Sequence, residues 1–388
     1  MSVTGPQGFR AGSAAAGLKA SGDLDVTVVV NDGPQAFAAG VFTSNRVKAA
    51  PVLWSQQVLR GGTVRAVVLN SGGANACTGP GGFQDTHRTA ELVAELLRKD
   101  GLDVGAADVA VCSTGLIGQR LPMDRLTAGV EQAIRSLGRS GGPDAARAIM
   151  TTDPRPKTVH IVRDGWSVGG MAKGAGMLAP GLATMLAVLT TDAVADAATL
   201  DRALRQATRV TFDRIDSDGC MSTNDTVLLL ASGASGVTPS ADALGDAVLT
   251  ACQDLAMQLL ADAEGSTKDV TIEVRSAASE DDAVQVARAV ARNNLVKTAL
   301  FGSDPNWGRI LAAVGTTSAQ FEPDRVDVAI NGVWVCRGGA AAEDRSTVDL
   351  SGRLVHIVID LNAGDQTATV WTNDLSHGYV HENSAYST

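Results

Sequence analysis

Aromatic residues make up only 4% of the 388-residue chain, and nowhere do lysines and arginines cluster into a basic stripe. The first scarcity removes the stacking platforms that single-strand nucleic-acid binders need. The second, with a formal net charge of −10, argues against a general affinity for phosphate backbones. No nucleic-acid partner is expected.

Cysteine is sparse and scattered. Cys77, Cys112, Cys220, Cys252 and Cys336 include no Cys-x-x-Cys pair, so neither a zinc ribbon nor a redox dithiol is written here, and the thiols read as reduced core residues. No Gly-Lys-Ser/Thr occurs to cradle a nucleotide, and Gly174-x-Gly176 lacks the third glycine of a dinucleotide fingerprint. His377 and His381 stand four apart, but Gly378, Tyr379 and Val380 between them argue against a helix, and no Glu follows the first histidine as a zinc hydrolase requires. Neither a metal nor a cofactor is expected. The N-terminus lacks a basic patch followed by an apolar segment, which points to a cytoplasmic address. One uncharged run, Gly174 to Thr191, has about the minimum length of a spanning helix. Gly174, Gly176, Pro180 and Gly181 would break that helix in its first half, so no membrane association is expected.

What is present is a chain large enough for two or three domains, with 45% hydrophobic residues to fill their cores. Asp25–Val30 and Ala66–Leu69 read as strands, the second ending in the turn Ser71-Gly72-Gly73. Leu92, Val93, Leu96 and Leu97 then share a helical face. The logic repeats with a strand at Asp108–Cys112, a turn at Ser113–Gly118, and a helix opened by Pro122 whose stripe is Leu126, Val130, Ala133, Ile134 and Leu137. Strands at Met185–Leu189, Val227–Leu230 and Val270–Val274 alternate with helices around Leu200–Val210 and Ala241–Ala263. Beyond Val326 the pattern turns to short strands: Val326–Ile330 and Val333–Cys336 flank Asn331-Gly332, and Val355–Ile359 and Thr367–Trp371 follow. The fold class is α+β with a small sheet-rich C-terminal unit, its boundary near residues 280 to 300.

The most informative stretch is Lys173-Gly-Ala-Gly-Met-Leu-Ala-Pro-Gly-Leu-Ala-Thr-Met-Leu186, which sets Thr184 between a Gly/Pro-rich loop and an apolar strand. On local grammar Thr184 is a β-branched residue beginning a strand. If the Ala183–Thr184 bond were cut, however, Thr184 would carry its own base, because a free α-amine titrates near pH 8 and can accept the hydroxyl proton.

This stretch resembles the self-cleavage site of the ornithine acetyltransferase family, the bifunctional glutamate N-acetyltransferases of arginine synthesis. Asn70–Gly79, Ser113–Gly118, Ile149–Asp153, Ser222–Thr226, Leu295–Ala299, Asp304–Arg309 and Glu382–Tyr386 are similar to family blocks and occur in the same order along nearly the whole chain. Gly181, Leu182 and Gly73 depart from the residues expected there. The resemblance implies an αββα-like layered sandwich with a smaller C-terminal domain, divided as residues 1–183 (the alpha chain), 184–285 (completing the sandwich) and 286–388. It implies an assembly of two alpha and two beta chains.

The resemblance also implies roles. Thr184 attacks the carbonyl of Ala183, the chain is cut, and Thr184 then takes acetyl from N2-acetyl-L-ornithine and passes it to L-glutamate; acetyl-CoA stands as a second candidate donor. Thr114 and Gly115 match the oxyanion pair, where local grammar alone offers a small-residue strand-to-helix turn. Thr151, Lys173, Glu264, Asn383 and Thr388 match substrate-contacting positions. Without the resemblance Lys173 reads as a solvated surface lysine, Thr151 as a loop hydroxyl, Glu264 as a helix-end carboxylate, and Asn383 and Thr388 as a frayed terminus. Two other readings stay open: an amidase or aminopeptidase using the same threonine but passing acyl groups to water, and a non-catalytic amino-acid-binding protein.

Overall fold

The computed structural model describes residues 2–179 and 185–385. Three sheets form. The first orders Phe9–Ala14, Val26–Asn31, Ala66–Ser71 and Val109–Thr114; the second orders Ala38–Phe42, Thr226–Ala231, Leu186–Thr191, Trp166–Lys173 and Lys157–Arg163. Successive strand residues point to opposite faces, and here both faces are apolar. In the first sheet Val29, Val67, Leu69 and Ala110 face inward and meet Met171, Leu186, Val188, Leu228 and Leu230 of the second. Their neighbours Val28, Val30, Val68 and Val111 face outward, under the helices Gly79–Lys99 and Met123–Arg135. On the far side Val168, Ala187, Leu189, Val227 and Leu229 pack beneath the helices Ala197–Val210 and Ala241–Ala261. The result is the expected α-β-β-α stack of layers.

Helix starts are fixed locally. Asp196 accepts the Thr199 amide at 2.7 Å and Ser240 accepts that of Ala243 at 3.1 Å, caps worth about 1 kcal/mol each. The stripe Leu126, Val130, Ala133 and Ile134 is buried as expected, while Leu137 lies past the helix end at Arg135.

The third sheet has six strands in the order Ala340–Ala341, Val333–Arg337, Asp327–Ile330, Leu354–Asp360, Asp269–Ala277 and Gln366–Asn373. Asn331-Gly332 forms the turn between two of them, as its sequence requires. The strand Asp269–Ala277 lies upstream of residue 286, yet its Val270, Ile272 and Val274 belong to this sheet's core with Val286, Val290, Val328 and Ile357.

Two expectations are corrected. His377–Ala385 is an α-helix, because Ser376 receives the Tyr379 amide at 3.0 Å and His377 packs edge-on against Phe301, support that sequence periodicity does not display. Of the cysteines, Cys112, Cys252 and Cys336 are buried, but Cys77 and Cys220 are exposed, both in loops. Among the described residues no helix is long and apolar enough to cross a membrane, and Leu186–Thr191 of the uncharged run is a strand.

Candidate active site

The two stacked sheets end side by side. Thr114 closes the strand Val109–Thr114, paired with Ser71, and Lys173 closes the strand Trp166–Lys173, paired with Leu186. Lys173 Nζ donates to Thr114 Oγ1 at 3.3 Å. That contact occupies a lone pair of the Thr114 oxygen, so its hydroxyl proton is directed elsewhere. Thr114 and Lys173 are both buried, so the lysine is not the solvated surface residue that its sequence surroundings suggest.

Around this pair lies a cleft with about 560 Å³ of empty space, part of it open to solvent, lined by Thr114, Gly115, Thr151, Lys173, Glu264 and Asn383, together with Ile117, Thr152, Gly176 and Met177. The first six are the described members of the residue set singled out in the sequence. Ala183, Thr184 and Thr388 lie outside the described residues.

Gly115 has φ +127°, and a Cβ there would sit 2.5 Å from the Gly73 nitrogen and 2.7 Å from the Gly72 carbonyl carbon. Only glycine lets the turn after Thr114 pass this close to the Ser71-Gly72-Gly73 turn. The Gly73 amide in turn donates to the Thr114 carbonyl at 3.0 Å, locking the two turns together.

Glu264 sits past the end of the helix Ala241–Ala261 and folds back, its amide donating to the Ala175 carbonyl at 3.0 Å. Its carboxylate receives the Thr152 hydroxyl at 2.7 Å and the Asn383 side-chain amide at 2.9 Å. The C-terminal helix is thereby tied to the cleft. Gly176 lies so close that a Cβ there would meet a Glu264 carboxylate oxygen at 2.6 Å.

Behind Lys173 runs a buried ion network that the sequence does not advertise. Asp153 Oδ1 accepts Lys157 Nζ at 2.7 Å and the Gly174 amide at 2.6 Å, and Asp153 Oδ2 accepts the Thr151 amide at 3.0 Å. Lys157 also donates to Asp262 at 2.6 Å, and Asp262 accepts from the exposed Arg155. Burial works to raise the Asp153 carboxyl, but Lys173, Lys157 and the Thr151 amide outweigh it and hold it at about 2. Burial lowers the Lys173 ammonium below its ordinary value, with Asp153 pulling the other way. The cleft thus carries a partly desolvated cation on one wall and a carboxylate on another. Such a pair suits a small ligand bearing both charges, and the Thr114–Gly115 turn offers a hydroxyl and an amide for an oxygen that gains charge.

Sequence reasoning did not single out Thr152, Asp153, Lys157, Ile117 or Met177. Thr152 and Asp153 stand in the block Ile149–Asp153, beside Thr151, which was their signal; Lys157 had none, because an isolated lysine ordinarily reads as surface.

The ArgJ family model matches residues 10–388. The arginine biosynthesis bifunctional protein ArgJ of Streptomyces coelicolor is 66% identical over 388 residues, all of both chains. That of Mycolicibacterium paratuberculosis is 63% identical over 389 residues, covering 100% of this chain and 96% of the relative. Among solved structures, an ornithine acetyltransferase from Mycobacterium tuberculosis complexed with ornithine is 62% identical, covering 48% of this chain and 96% of that one, at a TM-score of 0.46. A match over all but the first nine positions, with relatives this close along all or nearly all of their lengths, has one reading: the chain belongs to the ArgJ family.

Proposed function

We propose that the protein is a self-cleaving glutamate N-acetyltransferase of arginine biosynthesis, moving acetyl from N2-acetyl-L-ornithine to L-glutamate by double displacement. The observation that carries this reading is the convergence, in one cleft, of six residues scattered from Thr114 to Asn383. Full-length identity to relatives named arginine biosynthesis bifunctional protein supports it independently.

In this reading Thr184 Oγ first attacks the Ala183 carbonyl, the amide becomes an ester, and water releases residues 1–183 from residues 184–388. The new α-amine is then the base. Thr184 Oγ attacks the acetyl carbonyl of N2-acetyl-L-ornithine, and the oxyanion is met by the Thr114 hydroxyl and the Gly115 amide. The proton taken by the α-amine passes to the leaving nitrogen, and ornithine departs. Glutamate repeats the steps in reverse, its amine attacking the acetyl ester and freeing Thr184. Lys173 retains ammonium protons beyond the one given to Thr114 and pairs with the substrate carboxylate; Glu264, positioned by Thr152 and Asn383, receives the ornithine ammonium. Thr151 and Thr388 complete the substrate contacts. The cleaved protein works in the cytoplasm as two alpha and two beta chains.

The test is a denaturing gel and one pair of incubations. Two bands ending at Ala183 and starting at Thr184, with rapid ornithine release only when glutamate is present, are expected. Steady release without glutamate would mark a hydrolase, and a single intact band in active material would refute the mechanism.

A further inference from the structure

A fully buried aspartate holds Met185, the residue after the proposed nucleophile in the chain, without belonging to the cleft lining. Asp225 enters the strand Thr226–Ala231, and its Oδ1 accepts the Met185 amide at 3.0 Å. The Met185 carbonyl accepts the Thr226 amide at 3.1 Å. Met185 follows Thr184 directly in the chain, so both of its backbone polar groups are gripped by consecutive residues. One position earlier, Asn224 Nδ2 donates to the Ser113 carbonyl at 2.8 Å and the Ala74 carbonyl at 2.6 Å. Ser113 directly precedes Thr114. A single pair of neighbours therefore holds the residue after Thr184 with one side chain and the residue before Thr114 with the other.

A fully buried carboxyl group is a costly way to hold a backbone amide. Burial drives Asp225 well above its ordinary value, toward the neutral acid, against the Met185 amide, the Ser222 hydroxyl, Lys173 and the Thr43 hydroxyl. Its Oδ2 makes no hydrogen bond of ordinary geometry among the described residues.

We propose that Asp225, with Asn224 beside it, is a positioning residue that sets the residue-184 hydroxyl against the Thr114–Gly115 turn. The proposal rests on the reading of Thr184 as nucleophile. Its force lies in the sensitivity of covalent catalysis to placement, where an error of about 1 Å costs on the order of 100-fold.

The experiment compares the parent with Asp225→Ala and Asp225→Asn by thermal melt, by mass of the chains, and by kcat and KM for acetyl transfer. Asp225→Ala is expected to lower kcat by about 100-fold with KM within about threefold, the signature of an interaction made in the transition state. Asp225→Asn keeps a neutral acceptor for the Met185 amide and is expected to restore kcat to within about tenfold of the parent. An uncleaved Asp225→Ala with a parental melt supports the proposal equally, since cleavage uses the same hydroxyl. Should Asp225→Ala fail to fold, Asp225→Ser, whose hydroxyl is shorter, takes its place with the same expectation. Parental kcat in the truncated variant, a rise in KM alone, or an asparagine variant as inert as the truncated one overturns the proposal. A parent that is uncleaved or does not transfer acetyl defeats the Thr184 reading itself, a failure distinct from active parent and indifferent variants.

Discussion

Replacing Asp153 by asparagine should be among the most damaging isosteric changes available outside the cleft lining. The carboxylate holds Lys157, the Gly174 amide and the Thr151 amide, and is the main favourable charge felt by the buried Lys173. Its fall from the ordinary 3.8 to about 2 corresponds to roughly 2.5 kcal/mol of preference for the charged form. Removing one partner of a buried ion pair costs about 3–5 kcal/mol, because the remaining charge stays uncompensated; Lys157 keeps Asp262, so the lower end applies. Because the folded-state value is depressed, the stabilisation is complete above the unfolded value near 3.8 and is lost as pH falls through about 2. Urea unfolding of Asp153→Asn at pH 7 should therefore show a loss of about 3 kcal/mol, and the gap from the parent should narrow between pH 4 and pH 2. KM should rise as well, since Gly174 and Lys173 lose their anchor. A variant as stable as the parent at pH 7, or a gap constant down to pH 2, would refute the reasoning.

Thr114→Ala removes one proposed oxyanion donor and should lower kcat by about 100- to 1000-fold with little change in KM, read from initial rates of ornithine release. Gly115→Ala must place a Cβ 2.5 Å from a backbone nitrogen at φ +127°, so both the melting temperature and kcat should fall, with strain of about 1–3 kcal/mol setting the first. Gly176→Ala would place a Cβ 2.6 Å from the Glu264 carboxylate, which must shift away from Thr152 and Asn383, so KM for N2-acetyl-L-ornithine should rise about tenfold; an unchanged KM would count against Glu264 as the ammonium partner.

The strands were legible as apolar runs, but their layering was expected only from the family resemblance; the structure supplies its reason, since the strands are apolar on both faces. Val28 and Val29, or Leu228 and Leu229, leave no polar side, and such strands are stable only between two packed layers. The helix stripe Leu126, Val130, Ala133 and Ile134 was equally plain. The helix His377–Ala385 was not, since its stability comes from Ser376, Phe301 and the tie between Asn383 and Glu264 rather than from periodicity. The charged interior was hidden for a related reason. Asp153, Lys157 and Asp225 look like ordinary surface residues until the fold removes their water, and their pairing lies in tertiary geometry. Cleft residues were found through the order of their motifs along the chain; neither spacing nor composition would have joined Thr114 to Asn383.

The proposed scission also has to leave the site assembled, and the topology provides for that. The strands Trp166–Lys173 and Leu186–Thr191 flank the cut and are antiparallel neighbours, paired from Lys173 with Leu186 to Val168 with Thr191. Opening the short connection between them forfeits a loop-closure term of only roughly 2 kcal/mol. Against it stands an interior shared by both halves, in which Phe9, Val29, Val67 and Leu69 of the first pack on Leu186, Val188, Leu228 and Leu230 of the second. At about 1.5–3 kcal/mol for each fully buried apolar side chain, that contact exceeds the lost term many times over. The segments next to the cut are also held by the later half: the Ala175 carbonyl by the Glu264 amide, the Leu178 carbonyl by the Ser217 amide, and the Met185 amide by Asp225. The two products should therefore co-elute in native size exclusion and part only in denaturant. Halves that separate in native buffer would mean that Thr114, Gly115, Thr151 and Lys173 cannot stay opposed to Glu264 and Asn383, and a site built across both chains could not turn over.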